Sequence, residues 1–357
     1  MKTMKKRIEY IDALRGLTMI LVVFAHVETF MLSIDPGTTF VSSLFLSFRM
    51  PLFFFISGYL LFKEGKQWTF KVWKQSVQNK IRVQIIPTAF FGLLYTYLFS
   101  LGNCIDFISN YHKFGYWFTI CLLGMLIIIY TINWLSCVSV KKTPSKIIVT
   151  MILIAVATLL FLFKFIYDKN SGIARISDYF CLHQICVYFP FFAFGYIASQ
   201  YKEVFAKFLD NDLIQAFVYF TFSFVFYLKI TLNEADSGAS MMLLIYRSVQ
   251  DVILGVLGIC IVYNFFRKNS SWFSSKTMLG MQLQRIGSRT LDVYMLHYFF
   301  LTKISFLQNW VSRGNIICEL FCVGIISVII TYCTLFVSDI LRTSRFVSVY
   351  LFGNLRK

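Results

Sequence analysis

The chain has 357 residues, of which 58% are hydrophobic and only 14% charged, and its mean hydropathy is +0.68. A soluble globular domain carries about 25% charged residues, so the composition excludes one and reads as a polytopic integral membrane protein. The formal net charge of +17 falls in loops on one side of the expected membrane, a positive-inside pattern that argues against a nucleic-acid partner.

MKTMKKR leads straight into an apolar run with no small-residue cleavage site. Neither a cleavable leader nor a soluble domain beside the spans is expected. The first span, Asp12–Ser33, reads DALRGLTMILVVFAHVETFMLS and exceeds the roughly 20 residues needed to cross a bilayer. It carries Arg15 and His26, two groups that hydrocarbon disfavours. Eleven residues separate them. On a helix that is three turns plus about 20°, so both project from one face, with a rise of about 16 Å between them. Alone, Arg15 would snorkel to headgroups and His26 would bond a nearby carbonyl. On one face, with Asp12 a turn before Arg15 to hold its guanidinium, they read as a functional stripe lining a polar cavity.

Ten spans are expected, near 12–33, 40–62, 85–102, 116–136, 147–167, 180–199, 213–232, 248–266, 290–308 and 316–340. They form an all-α, single integral-membrane domain over residues 1–357. Twenty-four Lys and Arg fall in the termini and even-numbered loops against six in the alternate loops, which puts both termini in the cytoplasm. Arg15 then lies near the cytoplasmic face and His26 deeper.

The second span, FLSFRMPLFFFISGYLLF, has Pro51 at mid-span, where a kink is expected. Arg49 precedes it and either snorkels outward or needs a partner in a cavity. Ser57 and Gly58 permit close helix approach. Residues 66–86, KQWTFKVWKQSVQNKIRVQII, alternate aromatic and basic groups. They read as a cytoplasmic amphipathic helix lying in the interface, with Pro87 opening the third span. Its Trp and Lys anchor lipid, and Lys80 and Arg82 are placed to attract a polyanion. Tyr116 and Trp117 fit an aromatic belt, and His112 reads as a solvated loop residue. Spans five to eight are mostly apolar, with His183, Gln184 and Asp251 as exceptions and Gly195 for helix contact. In span nine, Asp292, Tyr294 and His297 lie just inside the cytoplasmic edge; His297 reads as structural or pocket-lining. Span ten looks like packing. The nine cysteines are scattered singly with no C-x-x-C pair, so neither metal nor a disulfide framework is expected and the thiols read as core.

Arg15 and His26 within YIDALRGLTMILVVFAH, an R-x10-H pattern, resemble the signature of the membrane acyltransferase family 3. MPLFFFISGYLL in span two, YWF opening span four, FGY in span six and GSRTLDVYMLH at span nine resemble that family in the expected order. MPLFFFISG is most similar to the branch that includes fucose 4-O-acetylase-type enzymes. The resemblance implies a bacterial inner-membrane enzyme that moves an acyl group, usually acetyl from acetyl-coenzyme A, onto a hydroxyl of a cell-surface glycan. It implies His26 as the catalytic residue and Arg15 as the group that binds or orients the donor. Two positions depart from the pattern. Gln84 stands three residues before Pro87, where the family often has arginine, and Arg49 stands where the related branch often has histidine.

One mechanism fits both readings. The donor enters from the cytoplasm, and Arg15, Lys80 and Arg82 meet its phosphates. Its pantetheine arm follows the stripe to His26, which acts as general base on the sugar hydroxyl. A polar neighbour is expected beside that imidazole. Arg49 or Tyr294 stabilises the oxyanion, and Asp12 and His297 line the donor and substrate site. Acyl-coenzyme A, a glycan or lipid-linked sugar, and membrane lipids are the partners this implies, without a metal. The rival reading is a transporter or flippase for lipid-linked sugars, which predicts repeated halves and broken helices at matching positions; neither is found. A membrane scaffold would not need Arg15 and His26 on one face.

Overall fold

A computed structural model of the chain describes residues 8–99, 101–140, 145–166, 178–233, 241–304, 311 and 315–352. Among these residues the regular structure is helical throughout, with no strand. Among the described residues, nine helices are long and apolar enough to cross a membrane: α1 (Glu9–Met31), α2 (Phe40–Leu61), α3 (Phe70–Leu98), α4 (Trp117–Val138), α5 (Lys146–Phe165), α6 (Leu182–Gln200), α7 (Asp212–Leu232), α8 (Met242–Lys268) and α9 (Ile316–Leu341). The protein is an all-α polytopic membrane protein. Lipid leaves a backbone no water to bond, and helices satisfy their own N–H and C=O groups.

Two segments differ from the sequence-based expectation. The run expected to span over 290–308 is a seven-residue helix, Thr290–Leu296, followed by a 3-10 turn at His297–Phe300; its residues 305–308 lie outside the described residues. The segment expected to lie in the interface is helical from Phe70 to Lys80 with none of its residues buried. It does not end there. It runs through a π-helical turn, Ile81–Ile85, into Ile86–Leu98 as one 29-residue helix. Of the basic residues that set the expected orientation, Lys2, Lys5, Lys6, Arg7, Lys141, Lys142, Lys169, Arg175, Arg313, Arg356 and Lys357 lie outside the described residues.

The chain divides into two compact units, one of residues 1–56 and 202–337, the other of residues 57–201 and 338–357. In the first unit, α1 packs against the helix Met278–Ser288 at two glycines. A Cβ on Gly16 would sit 2.0 Å from the Leu283 carbonyl oxygen, and one on Gly287 1.8 Å from that of Asp12. The backbones touch with no side chain between them, so both positions must be glycine. Glu9 anchors the same region by accepting from the Ser275 amide at 3.0 Å and its hydroxyl at 2.8 Å. Phe55, Phe205 and Tyr263 form an aromatic triad with centroids 5.5 to 6.3 Å apart, within the range of productive ring contacts.

In the second unit, Gly58 approaches the backbone of Phe192 as closely, at 2.0 Å for an added Cβ. Trp73 donates its indole N–H to Thr131 at 3.1 Å, and Lys66 lies 3.5 Å from the centroid of the buried Trp68 ring. Burial pushes the Lys66 ammonium down to about 8, with Lys63 adding to the shift. Lys113, also buried, donates to the carbonyls of Ile108 (2.5 Å), Asn110 (2.8 Å) and Asp178 (2.5 Å). That satisfies all three ammonium donors. His112 is exposed, and His183 pairs with the Tyr111 hydroxyl. All nine cysteines are free thiols.

Candidate active site

The site lies in the first unit, where α1 faces the segment 290–298. α1 is regular α-helix from Glu9 to His26, so the eleven-residue spacing does place Arg15 and His26 on one side. Both reach the same partner segment. Arg15 Nη2 donates to Thr290 Oγ1 at 3.0 Å, and its Nη1 is 3.8 Å from Asp12 Oδ1, the i, i+3 pair expected from spacing. Seven residues beyond Thr290, His297 Nε2 is 2.8 Å from His26 Nδ1. The two rings lie nearly parallel, centroids 5.0 Å apart and planes at 18°.

The other side of His26 is also polar. Tyr298 places its hydroxyl 3.3 Å from His26 Nε2, and the Tyr298 and Phe30 rings border the imidazole at 5.0 and 5.7 Å. His297 and Tyr298 are both fully buried. His297 is braced from behind, Nδ1 lying 2.9 Å from the Val293 carbonyl oxygen. Tyr294 packs its ring 6.2 Å from that of His297 and is buried. Asp292, buried two residues beyond Thr290, receives the Arg289 guanidinium one turn before it.

A π-helical turn, Val27–Met31, begins at the residue after His26. Such turns carry one surplus residue and recur at functional sites. This one holds Glu28, buried to 1% exposure, with Oε1 lacking any hydrogen-bond partner. Glu28 lies within electrostatic range of Glu319 and Arg49. Glu319, from α9, is equally buried and accepts from Thr39 Oγ1. Arg49 on α2 lies within electrostatic range of both His26 and Glu28, so it faces this cluster.

Of the residues singled out in the sequence, Asp12, Arg15, His26, Arg49, Tyr294 and His297 therefore share one unit and one neighbourhood. Lys80 and Arg82 belong to the second unit on α3, Arg82 in its π turn, as does Gln84, which is buried with Oε1 unpartnered. Glu28, Thr290, Tyr298 and Glu319 were not singled out. Glu28 and Glu319 carried a readable signal, since a carboxyl inside an apolar run must find a partner. Span ten, read as packing, supplies one of them. Thr290 and Tyr298 carried none. Among the described residues, no group of three or more His, Cys, Asp and Glu is arranged to hold a metal.

These features define a polytopic membrane protein with a paired-imidazole site set into its helices. A family model described as an acyltransferase domain, Acyl_transf_3, matches residues 8–336. The chain belongs to acyltransferase family 3, and it is an acyltransferase. Neither curated proteins nor solved structures gave a match.

Proposed function

We propose that the protein transfers an acetyl group from acetyl-coenzyme A to a hydroxyl of a cell-surface or exported polysaccharide. We place it in a bacterial inner membrane with both termini in the cytoplasm, in the branch that includes fucose 4-O-acetylase-type enzymes. The observation that carries the reading is the His26–His297 contact on the same face of α1 as Arg15. An imidazole with one nitrogen engaged and the other turned to a hydroxyl is built to move a proton.

In this reaction His26 Nε2 takes the proton of the acceptor hydroxyl as its oxygen attacks the thioester carbonyl. The tetrahedral intermediate collapses with loss of the coenzyme A thiolate, and His26 returns the proton to that sulfur. No other proton source or sink is required. The Arg15 guanidinium is planar and its side chain is 30% exposed, which suits a phosphate of the donor. Arg49 faces His26 and supplies positive charge for the developing oxyanion.

The test is coenzyme A release by purified protein together with mass spectrometry of the glycan from cells with and without it. Acetyl-sized additions that vanish with His26→Ala, in a protein that still inserts and folds, support the reading. Retained transfer in that variant overturns it. Sugar translocation without coenzyme A release favours a flippase.

A further inference from the structure

The hydrogens in the histidine pair are fixed by what lies behind it. His297 Nδ1 faces the Val293 carbonyl at 2.9 Å, and a carbonyl oxygen only accepts, so His297 Nδ1 carries a hydrogen. His297 has no solvent exposure. A second hydrogen on its Nε2 would create a buried cation pointed at another imidazole 2.8 Å away, which a site without solvent disfavours. His297 Nε2 is therefore the acceptor. His26 Nδ1 must be the donor, and the lone pair of neutral His26 is left on Nε2. Tyr298 supports the same direction, because its hydroxyl has a hydrogen to offer that lone pair at 3.3 Å. At that length the bond is weak and yields to an incoming hydroxyl.

We infer that His297 is the positioning residue of this site: the relay Val293 C=O, His297, His26 locks His26 in the Nδ1–H tautomer and leaves Nε2 as the base. The consequence for catalysis rests on the acyl-transfer reading; the tautomer rests on contacts alone. Neutral His297 takes the place that a carboxylate holds in many hydrolytic triads. It orients the ring and accepts from the imidazolium that forms on proton abstraction. It does so without placing a permanent buried anion beside the coenzyme A thiolate when that leaves. The in-line, nearly coplanar pairing of the two rings and the Tyr298 ring, 4.0 Å from His297, hold both imidazoles against flipping.

Histidine-ring nitrogen NMR on the full chain in nanodiscs reads the tautomer directly. The sequence has four histidines, and replacing His112 and His183 completes the assignment. His26 protonated at Nδ1, with that state lost in His297→Phe and recovered in His297→Gln, supports the inference, since the Gln side-chain oxygen can occupy the place of Nε2. His26 protonated at Nε2, or a tautomer that His297→Phe leaves unmoved, overturns it. In coenzyme A release from acetyl-coenzyme A, with methyl fucoside and methyl glucoside as acceptors, His297→Phe should lower kcat by about 10²- to 10⁴-fold. KM for the donor should stay within about threefold, with His297→Gln at least about tenfold better than His297→Phe. Loss confined to KM, or unchanged kcat, counts against the relay. The two readings separate cleanly. If His26→Ala retains transfer, the acyl-transfer role of His26 falls and NMR still decides the tautomer. If His26→Ala abolishes transfer while His297→Phe does not, only the relay falls. Should His297→Phe fail to fold, the tautomer in His297→Gln and His297→Ala decides.

Discussion

Arg15 and Thr290 are joined by a 3.0 Å hydrogen bond across 275 positions of sequence, and the same short segment brings His297 to His26. One helix face thus meets one partner segment at two points. Arg15→Lys keeps the charge and loses the planar fork that reaches Thr290 and that the proposed function assigns to a donor phosphate. It should raise KM for acetyl-coenzyme A about tenfold with kcat changed less than about threefold. Steady-state kinetics of the purified variant checks this; a fall in kcat alone contradicts it.

The Gly16 and Gly287 contacts set how closely α1 approaches the helix that leads into Thr290. Gly16→Ala or Gly287→Ala forces a Cβ to within 2.0 or 1.8 Å of a backbone oxygen. Each should destabilise by about 2 kcal/mol or more and reduce transfer with it. Gly324→Ala is the control, with nothing within 4 Å of the added atom. It should be neutral or stabilise by up to about 1 kcal/mol through helix propensity. Thermal unfolding in detergent ranks the three.

How far the sequence carried this site depends on distance along the chain. Periodicity on α1 is local, so the shared face of Arg15 and His26 and the Asp12 pairing were legible. The partners were not, because no local rule ties position 26 to position 297. His297 was visible as a candidate, but its role is defined only by the nitrogen facing it. Hydropathy also cannot tell a spanning helix from Thr290–Leu296 followed by a 3-10 turn, since both are apolar. The sequence places the third span from about residue 85, with Pro87, a common first-turn residue, inside its start. The π turn at Ile81–Ile85 lets the helix pass through that proline instead, because the widened turn already disturbs the regular ladder at the place where the proline lacks its N–H.

Glu28 and Glu319 are both buried and interact electrostatically, so an amide at position 28 is placed to donate to the carboxyl of Glu319. Glu28→Gln offers an NH2 donor to the Glu319 carboxyl and should leave stability within about 1 kcal/mol of the parent. Glu28→Ala removes the partner from a buried carboxyl and should cost about 1–3 kcal/mol. Unfolding midpoints of the two variants give the comparison, and equal losses would contradict it.

Lys66 lies in the loop between α2 and α3, and burial holds its ammonium at about 8 against an ordinary 10.5. The folded state therefore binds this proton less tightly than the unfolded chain. The resulting penalty is full below about pH 8, shrinks as pH rises, and is gone above 10.5. Lys66→Met removes it while keeping a chain over Trp68. The variant's unfolding temperature should exceed the parent's at pH 7, and that lead should shrink steadily towards pH 10, when each is followed across that range.

The surplus residue in Val27–Met31 makes His26 a seam in α1. Upstream, the donor-side half keeps its angular phase; downstream, every side chain is turned by one residue's worth of rotation. Deleting one residue from the π turn would return the outer half to ordinary phase without touching Arg15 or the glycine contacts. The residues beyond His26 can therefore be re-aimed while the Arg15 end of the helix stays as it is, with no change of fold.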